Sequence, residues 1–184
     1  MNIIPTEFPS AYLIAIDPHQ DARGAFQKPF QKEVFRAHGL ETEFSEMYYS
    51  VSSKGVLRGM HFQTPPSAYA KLVYVSHGRV LDVALDIRKG SPTYGKALAK
   101  ELSLEAATAL YLPSGFAHGF LSLEDGSVVN YAQTAGYDPA HDGGIRLDSF
   151  GFDWGVASPI LSDRDKTFPT LAAFDSPFDY EVRA

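Results

Sequence analysis

Apolar and polar positions alternate in short runs through most of the chain, and turn residues cut the runs at close intervals. From Phe44 onward this pattern predicts extended segments at Met47–Ser52, Val56–Phe62, Lys71–Ser76, Arg79–Ile87, Ala97–Leu102, Thr108–Leu112, Ala117–Leu123 and Val128–Gln133. Lys54-Gly55, Pro65-Pro66, His77-Gly78, Lys89-Gly90-Ser91-Pro92, Pro113-Ser114-Gly115 and Asp125-Gly126 separate them. An earlier run, Tyr12–Ile16, stops at Asp17-Pro18, and the segment after it bends at Gly24. One short helix is predicted over Pro29–His38, where Phe30, Val34, Phe35 and His38 recur at helical spacing between a proline suited to the first turn and Gly39. Regular short strands with this punctuation predict an all-β sandwich or barrel with its core in about residues 44–135. Neither a Gly-rich phosphate fingerprint nor alternating helices are present, which excludes Rossmann and P-loop readings. Regularity fades after Gln133, and about 158–184 reads as an irregular tail packed over the domain. No repeat or linker divides the chain, so 1–184 is expected to form one domain.

Two stretches carry unusual polar positions. Strict alternation in Val56–Gln63 puts Leu57, Gly59, His61 and Gln63 on one face and Arg58 on the other. Bringing Arg58 beside His61 therefore requires a bulge near Gly59. On the following strand Lys71 shares a face with Val73 and Val75, so a histidine and a lysine on neighbouring strands can point into one cavity. In Val80–Ile87 the positions Leu81, Val83, Leu85 and Ile87 form an apolar face, whereas Asp82 and Asp86 flank Ala84 on the other and imply water or a polar cavity.

Composition narrows the chemistry. The 184 residues are enough to bury a sizeable core without staples. With no cysteine, a disulfide framework, a thiolate zinc site and cysteine nucleophiles are excluded. A formal charge of −6 and a pI near 5.4 argue against a nucleic-acid partner. The amino terminus lacks a signal-peptide pattern and no apolar run approaches a bilayer span, so a soluble, cytoplasmic protein without a membrane partner is expected.

His61 suits a general base, since imidazole exchanges protons near neutral pH; equally, it suits a hydrogen-bonded core histidine. Asp82, Asp86 and Asp165 are each possible partners for its ring. Lys71, in an otherwise apolar strand, either extends its amine to the edge or stabilises charge on an oxygen inside. Arg23 and Arg58 suit a diphosphate, with a solvated loop as the alternative for Arg23. Tyr131 is packing unless it faces His61. His118, beyond the Pro113–Gly115 turn, sits in half of a cupin pattern, but His61 and His118 alone are too few for a conventional metal site. No Gly-x-Ser-x-Gly elbow accompanies the Ser, His and Asp residues.

Taken in order, DARG, VLRGMHFQ, Lys71-Leu72-Val73, the Gly78–Arg88 strand, SPTYG, LPSGFAHGF, Tyr131 and SDRD resemble the dTDP-4-dehydrorhamnose 3,5-epimerase family over most of the chain. The resemblance implies a cupin-type double-stranded β-helix, or jelly roll, acting as a homodimer on a nucleotide-linked 4-keto-6-deoxyhexose with no cofactor and no metal. It further implies His61 as base, Asp165 as the carboxylate orienting it, Lys71 facing the C4 oxygen and Tyr131 as the acid across the ring. His118 with Asp82 matches a second His-Asp pair, and Arg58 and Arg23 match diphosphate ligands with Gln63 close by. Glu46-Met47-Tyr48 replaces the Gln-x-Asn common in the family, Lys28 stands where an acid is common, and Ala132 and Gly136 also depart from the pattern. These positions belong to the nucleotide end, so Glu46 and Lys28 bear on whether the base is that of dTDP, CDP or GDP. A non-catalytic sugar-nucleotide binder and a metal-dependent cupin are the rival readings.

Overall fold

The computed structural model describes residues 1–181, so the last three positions of the expected tail lie outside the described residues. In chain order the strands are β1 (Asn2–Pro5), β2 (Tyr12–Ala15), β3 (His19–Asp21), β4 (Gly24–Phe26), β5 (Glu46–Ser52), β6 (Leu57–Gln63), β7 (Lys71–His77), β8 (Arg79–Asp86), β9 (Ala97–Ser103), β10 (Thr108–Leu112), β11 (Phe116–Ser122), β12 (Ser127–Gln133) and β13 (Asp142–Gly144). Two short helices, α1 (Lys32–Ala37) and α2 (Asp163–Lys166), and a 3₁₀ turn at Leu171–Ala173 complete the elements.

Two antiparallel sheets face each other, one in the order β1-β2-β10-β7-β12-β5 and the other β13-β6-β11-β8-β9, while β3 and β4 form a separate hairpin. This is a jelly roll, and each strand predicted from Phe44 onward falls on a strand of the two sheets. The sandwich interior is sealed at one end by Val73, Val75, Leu110 and Val129 of the first sheet against Val80, Leu98, Leu102 and Phe120 of the second. The outward face of the five-stranded sheet, with Met60, Phe62, Val83 and Leu85, is covered by Ile145, Leu147, Trp154 and Phe178, so the chain after β13 supplies an apolar cover for it. The opposite outer face buries Leu72, Ala109 and Ala132 beneath Phe35 of α1. That helix is shorter than its apolar spacing predicts: Gln31 provides no side-chain cap, and Phe30 lies before the first turn, edge-on to Phe35 and Phe44. No helix among the described residues is long and apolar enough to cross a membrane.

The β6–β11 pairing departs from regular alternation. His61 faces His118 and Arg58 faces Phe120, so three steps along β6 match two along β11. One extra residue at Gly59-Met60 is therefore bulged, as joining Arg58 to His61 requires. Gly59 has φ +141°, and a Cβ there would lie 2.6 Å from the Gly119 Cα; a Cβ on Gly119 would lie 2.6 Å from the Arg58 carbonyl oxygen. Two facing glycines let the strands close over the bulge. The bulge also corrects the expected face of Leu57, which packs outward with Met60 and Phe62 rather than inward with His61.

Candidate active site

Between the sheets lies a cavity of about 200 Å³ lined by Tyr48, Ser50, Arg58, His61, Tyr69, Lys71, His118, Gly119, Phe120 and Tyr131. His61, Arg58 and His118 come from the five-stranded sheet, Lys71, Tyr131 and Tyr48 from the six-stranded one. The imidazole of His61 and the phenol of Tyr131 thus occupy opposite walls. The cavity shares Tyr48, His61 and Tyr69 with an adjoining antechamber of about 290 Å³, whose other lining residues are Glu46, Gln63, Gln133, Tyr137, Asp142 and Arg164.

Of the three candidate partners for His61, the structure selects Asp165, whose Oδ1 lies 2.7 Å from His61 Nε2. Asp165 is delivered by the short turn α2, capped by Ser162, whose Oγ accepts the Asp165 N–H. The Ser-x-x-Asp spacing in SDRD is the sequence signal for that turn. Burial alone raises the Asp165 carboxyl pKa, but hydrogen bonds from His61, the Gly59 backbone and Ser162 outweigh it and hold the group below the usual carboxylate range. An ionised Asp165 accepting the Nε2 proton leaves Nδ1 as the basic nitrogen. Phe168 packs edge-on to the ring at 5.7 Å, where only a glycine at 144 leaves it room.

His118 pairs instead with Asp82, Nε2 standing 3.0 and 2.9 Å from the two carboxylate oxygens, and both groups are buried. Burial pushes the His118 pKa down, against the upward pull of Asp82. Asp86, the other acid on that face of β8, is not at the site: it forms a buried pair with Arg88 and accepts hydrogen bonds from Ser91 and Thr93. The face of β8 read as polar therefore serves two separate buried networks.

Lys71 is 4% exposed, and desolvation lowers its pKa to about 8 despite the charges of Asp82 and Asp142. Its ammonium lies 4.9 Å from the centroid of the Tyr69 ring. Tyr131, 7% exposed, has its pKa raised far above the usual phenol value, chiefly by burial, with Ser50 acting weakly the other way. It holds its proton at neutral pH. Arg58 is anchored at the β5 edge by Ser52 Oγ at 3.1 Å and the Val51 carbonyl at 3.4 Å, leaving its guanidinium on the cavity rim.

The remaining expected site residues are placed less directly. Gln63 lines the antechamber, but its amide is engaged with the backbone: it donates to the Ser67 and Gly136 carbonyls and accepts from the Asp138 N–H, tying together the two loops at the mouth. Glu46 also lines the antechamber, accepting the Tyr137 N–H at 2.7 Å. Arg23 and Lys28 are not among the lining residues. Arg23 sits on the β3–β4 hairpin, its side chain 88% exposed and paired with Asp21, and Lys28 lies over Phe26. The hairpin belongs to neither sheet, and Arg23 lines neither the cavity nor its antechamber. Sequence reasoning missed the lining residues Tyr48, Ser50, Tyr69, Gln133, Asp142 and Arg164, the last two joined by an ion pair. Among the described residues, no group of three or more His, Asp or Glu side chains is placed to hold a metal.

A jelly roll whose internal cavity brings together an imidazole, a phenol and a buried ammonium holds the groups that a cupin-type isomerase working by proton transfer requires. The profile of the dTDP-4-dehydrorhamnose 3,5-epimerases matches residues 5–173. The Shigella flexneri dTDP-4-dehydrorhamnose 3,5-epimerase is 42% identical over 168 residues, covering 90% of this chain and 93% of that one. The Legionella pneumophila enzyme, solved in complex with dTDP-4-keto-L-rhamnose, superposes with a TM-score of 0.92 at 34% identity over 98% of this chain and 99% of its own. A 3'-monoepimerase from Streptomyces bikiniensis, solved with dTDP-quinovose, gives 0.87 at 35% identity, over 92% of this chain and 87% of its own. The chain belongs to the dTDP-4-dehydrorhamnose 3,5-epimerase family.

Proposed function

We propose that the protein epimerises a dTDP-linked 4-keto-6-deoxyhexose at C3 and C5, with His61 as base and Tyr131 as acid. The observation that carries this reading is the position of those two groups on opposite walls of one cavity that also holds the Lys71 ammonium. The hydrogen on a carbon next to the C4 ketone is acidic only if the enolate is stabilised. His61 takes the proton, the C–H electron pair moves into the enolate, and Lys71 balances the charge that grows on O4. Tyr131 then gives its phenolic proton to the same carbon from the other face, which inverts it. The resulting imidazolium and phenolate return to rest by proton exchange with water. Asp165 fixes the tautomer of His61, and His118 with Asp82 forms a polar wall beside the ring.

Arg58 holds the diphosphate. Arg23 joins it from a second copy of the chain, which accounts at once for the exposed hairpin and for the position of Arg23 outside its own cavity. The outward face of β5, the edge strand beside the cavity, exposes Met47, Tyr49 and Val51 and gives a homodimer an apolar surface to bury. Glu46 and Gln63 border the nucleotide end, and Lys28 approaches it from the partner. The relatives solved with dTDP-sugars favour the thymidine nucleotide.

Incubation with the dTDP-4-keto-6-deoxy sugar in deuterated water tests the reading: deuterium is expected at C3 and C5. Absence of label with dTDP-, CDP- and GDP-linked substrates alike overturns it, and label only with CDP or GDP sugars moves the specificity while keeping the chemistry. Sedimentation at enzyme-assay concentrations checks the dimer.

A further inference from the structure

The cavity and its antechamber meet at a waist of three rings, His61, Tyr48 and Tyr69, and two of these have no part in the proton transfers described above. Tyr48 stands directly opposite Tyr131 in the β5–β12 ladder, and the two rings stack with centroids 4.7 Å apart and planes 19° from parallel. On the other side of Tyr131, His118 meets it edge-on at 6.0 Å. The donor ring is thus held between a stacked face and an edge. Because β5 is the last strand of its sheet, no further strand covers Tyr131 there; Tyr48 is the cover.

Tyr48 is itself fixed. The buried Gln133 amide donates to its hydroxyl at 2.7 Å, and the same side chain interacts with the Tyr69 hydroxyl. Tyr69 lies over the Lys71 ammonium, and Gln133 faces Lys71 across the β12–β7 ladder. One amide therefore links the ring stacked on the acid to the ring over the cation. Tyr69 keeps its proton, since burial pushes its pKa far above the usual phenol value, and the Tyr48 pKa is raised in the same direction although 43% of that residue is exposed.

Resting on the epimerase reading, we propose that Tyr48, Gln133 and Tyr69 form a positioning collar with two arms: the Tyr48 ring, stacked on the proton donor, keeps deprotonation coupled to inversion, and Tyr69 holds the carbonyl-facing ammonium that both steps need. Where the donor ring is free to turn, the enolate outlives the aligned geometry and His61 returns a solvent-derived proton to the face it came from. The substrate then gains deuterium with its configuration retained. Stacking of two rings is worth enough to predict that Tyr48→Ala raises the ratio of exchange-with-retention to inversion by about two- to tenfold. Tyr48→Phe, which keeps the ring, is expected to stay near the wild-type ratio. Tyr69→Leu removes the ring from Lys71 and is expected to slow exchange and inversion together, with the ratio unchanged.

The experiment follows the sugar by NMR in deuterated water, scoring labelled substrate against labelled product for the full-length wild type and each variant. Tyr48→Leu serves beside the alanine variant, because it preserves apolar bulk on the strand while removing the ring plane. A raised ratio in both, restored in Tyr48→Phe, supports the collar; a cavity that merely collapsed would lower both rates and leave the ratio alone. Exchange in the wild type with an unchanged ratio in both Tyr48→Ala and Tyr48→Leu overturns the collar and leaves the epimerase reading standing. No exchange in the wild type overturns both.

Discussion

The two histidine–aspartate pairs use the same residue types and differ in nearly everything else. His118 and Asp82 come from adjacent strands, β11 and β8, and both are sealed in the sheet interior. His61 keeps 28% of its side chain exposed, and its partner arrives from a four-residue turn 104 positions later in the chain. A sealed pair resists any change of charge, because an uncompensated ion there has no water to turn to. A partly open imidazole held by an ionised carboxylate can meet a ligand in the cavity. Burial, rather than residue identity, separates the pair in the wall from the pair proposed to carry the base.

Four experiments break or sharpen that contrast. The largest effect is expected from His61→Ala, which should lower the rate of deuterium wash-in by about 10³- to 10⁴-fold, with a smaller loss of stability than the next variant because the buried Asp165 carboxylate keeps its Gly59 and Ser162 hydrogen bonds. His118→Leu is expected to do the reverse in kind: it strands the Asp82 carboxylate and costs about 3–5 kcal/mol of stability, read by urea unfolding. Stability equal to the wild type would show that Asp82 is solvated after all. Asp165→Asn leaves an isosteric side chain but a weaker hold on the tautomer, and a fall in kcat of about ten- to a hundredfold with little change in KM is expected. The smallest effect is a pH response. In the proposed mechanism Lys71 acts as a cation, and its pKa is lowered to about 8, so the stabilising charge is present below that value and lost as pH rises through it. The kcat/KM profile should hold up to about pH 8 and then fall towards tenfold per unit; an alkaline limb near the ordinary lysine value would mean that the amine is better solvated than its burial implies.

The sandwich was legible because its strands are long enough to alternate and are ended by Gly, Pro and Asp. What escaped were elements too short for a period to register: β1, the exposed β3–β4 hairpin and the three-residue β13. The site was legible where a polar side chain interrupts an apolar face, as His61, Lys71 and Asp82 do. Tyr48, Tyr69 and Gln133 stayed hidden because an aromatic or amide residue on a strand looks the same whether it packs or lines a cavity. Alternation alone also misassigned Leu57, and treated Asp82 and Asp86 alike although one faces His118 and the other Arg88.

The single added residue in β6 changes the parity of everything upstream of it. With it, a guanidinium and an imidazole three positions apart look the same way; without it, the first would turn into the layer beneath the carboxy-terminal cover. The shared direction of Arg58 and His61 therefore depends on one local count, guarded by Gly59 and Gly119, where even a methyl group would meet the backbone opposite at 2.6 Å. A chain that dropped this residue would still aim His61 into the cavity and would turn Arg58 away from it.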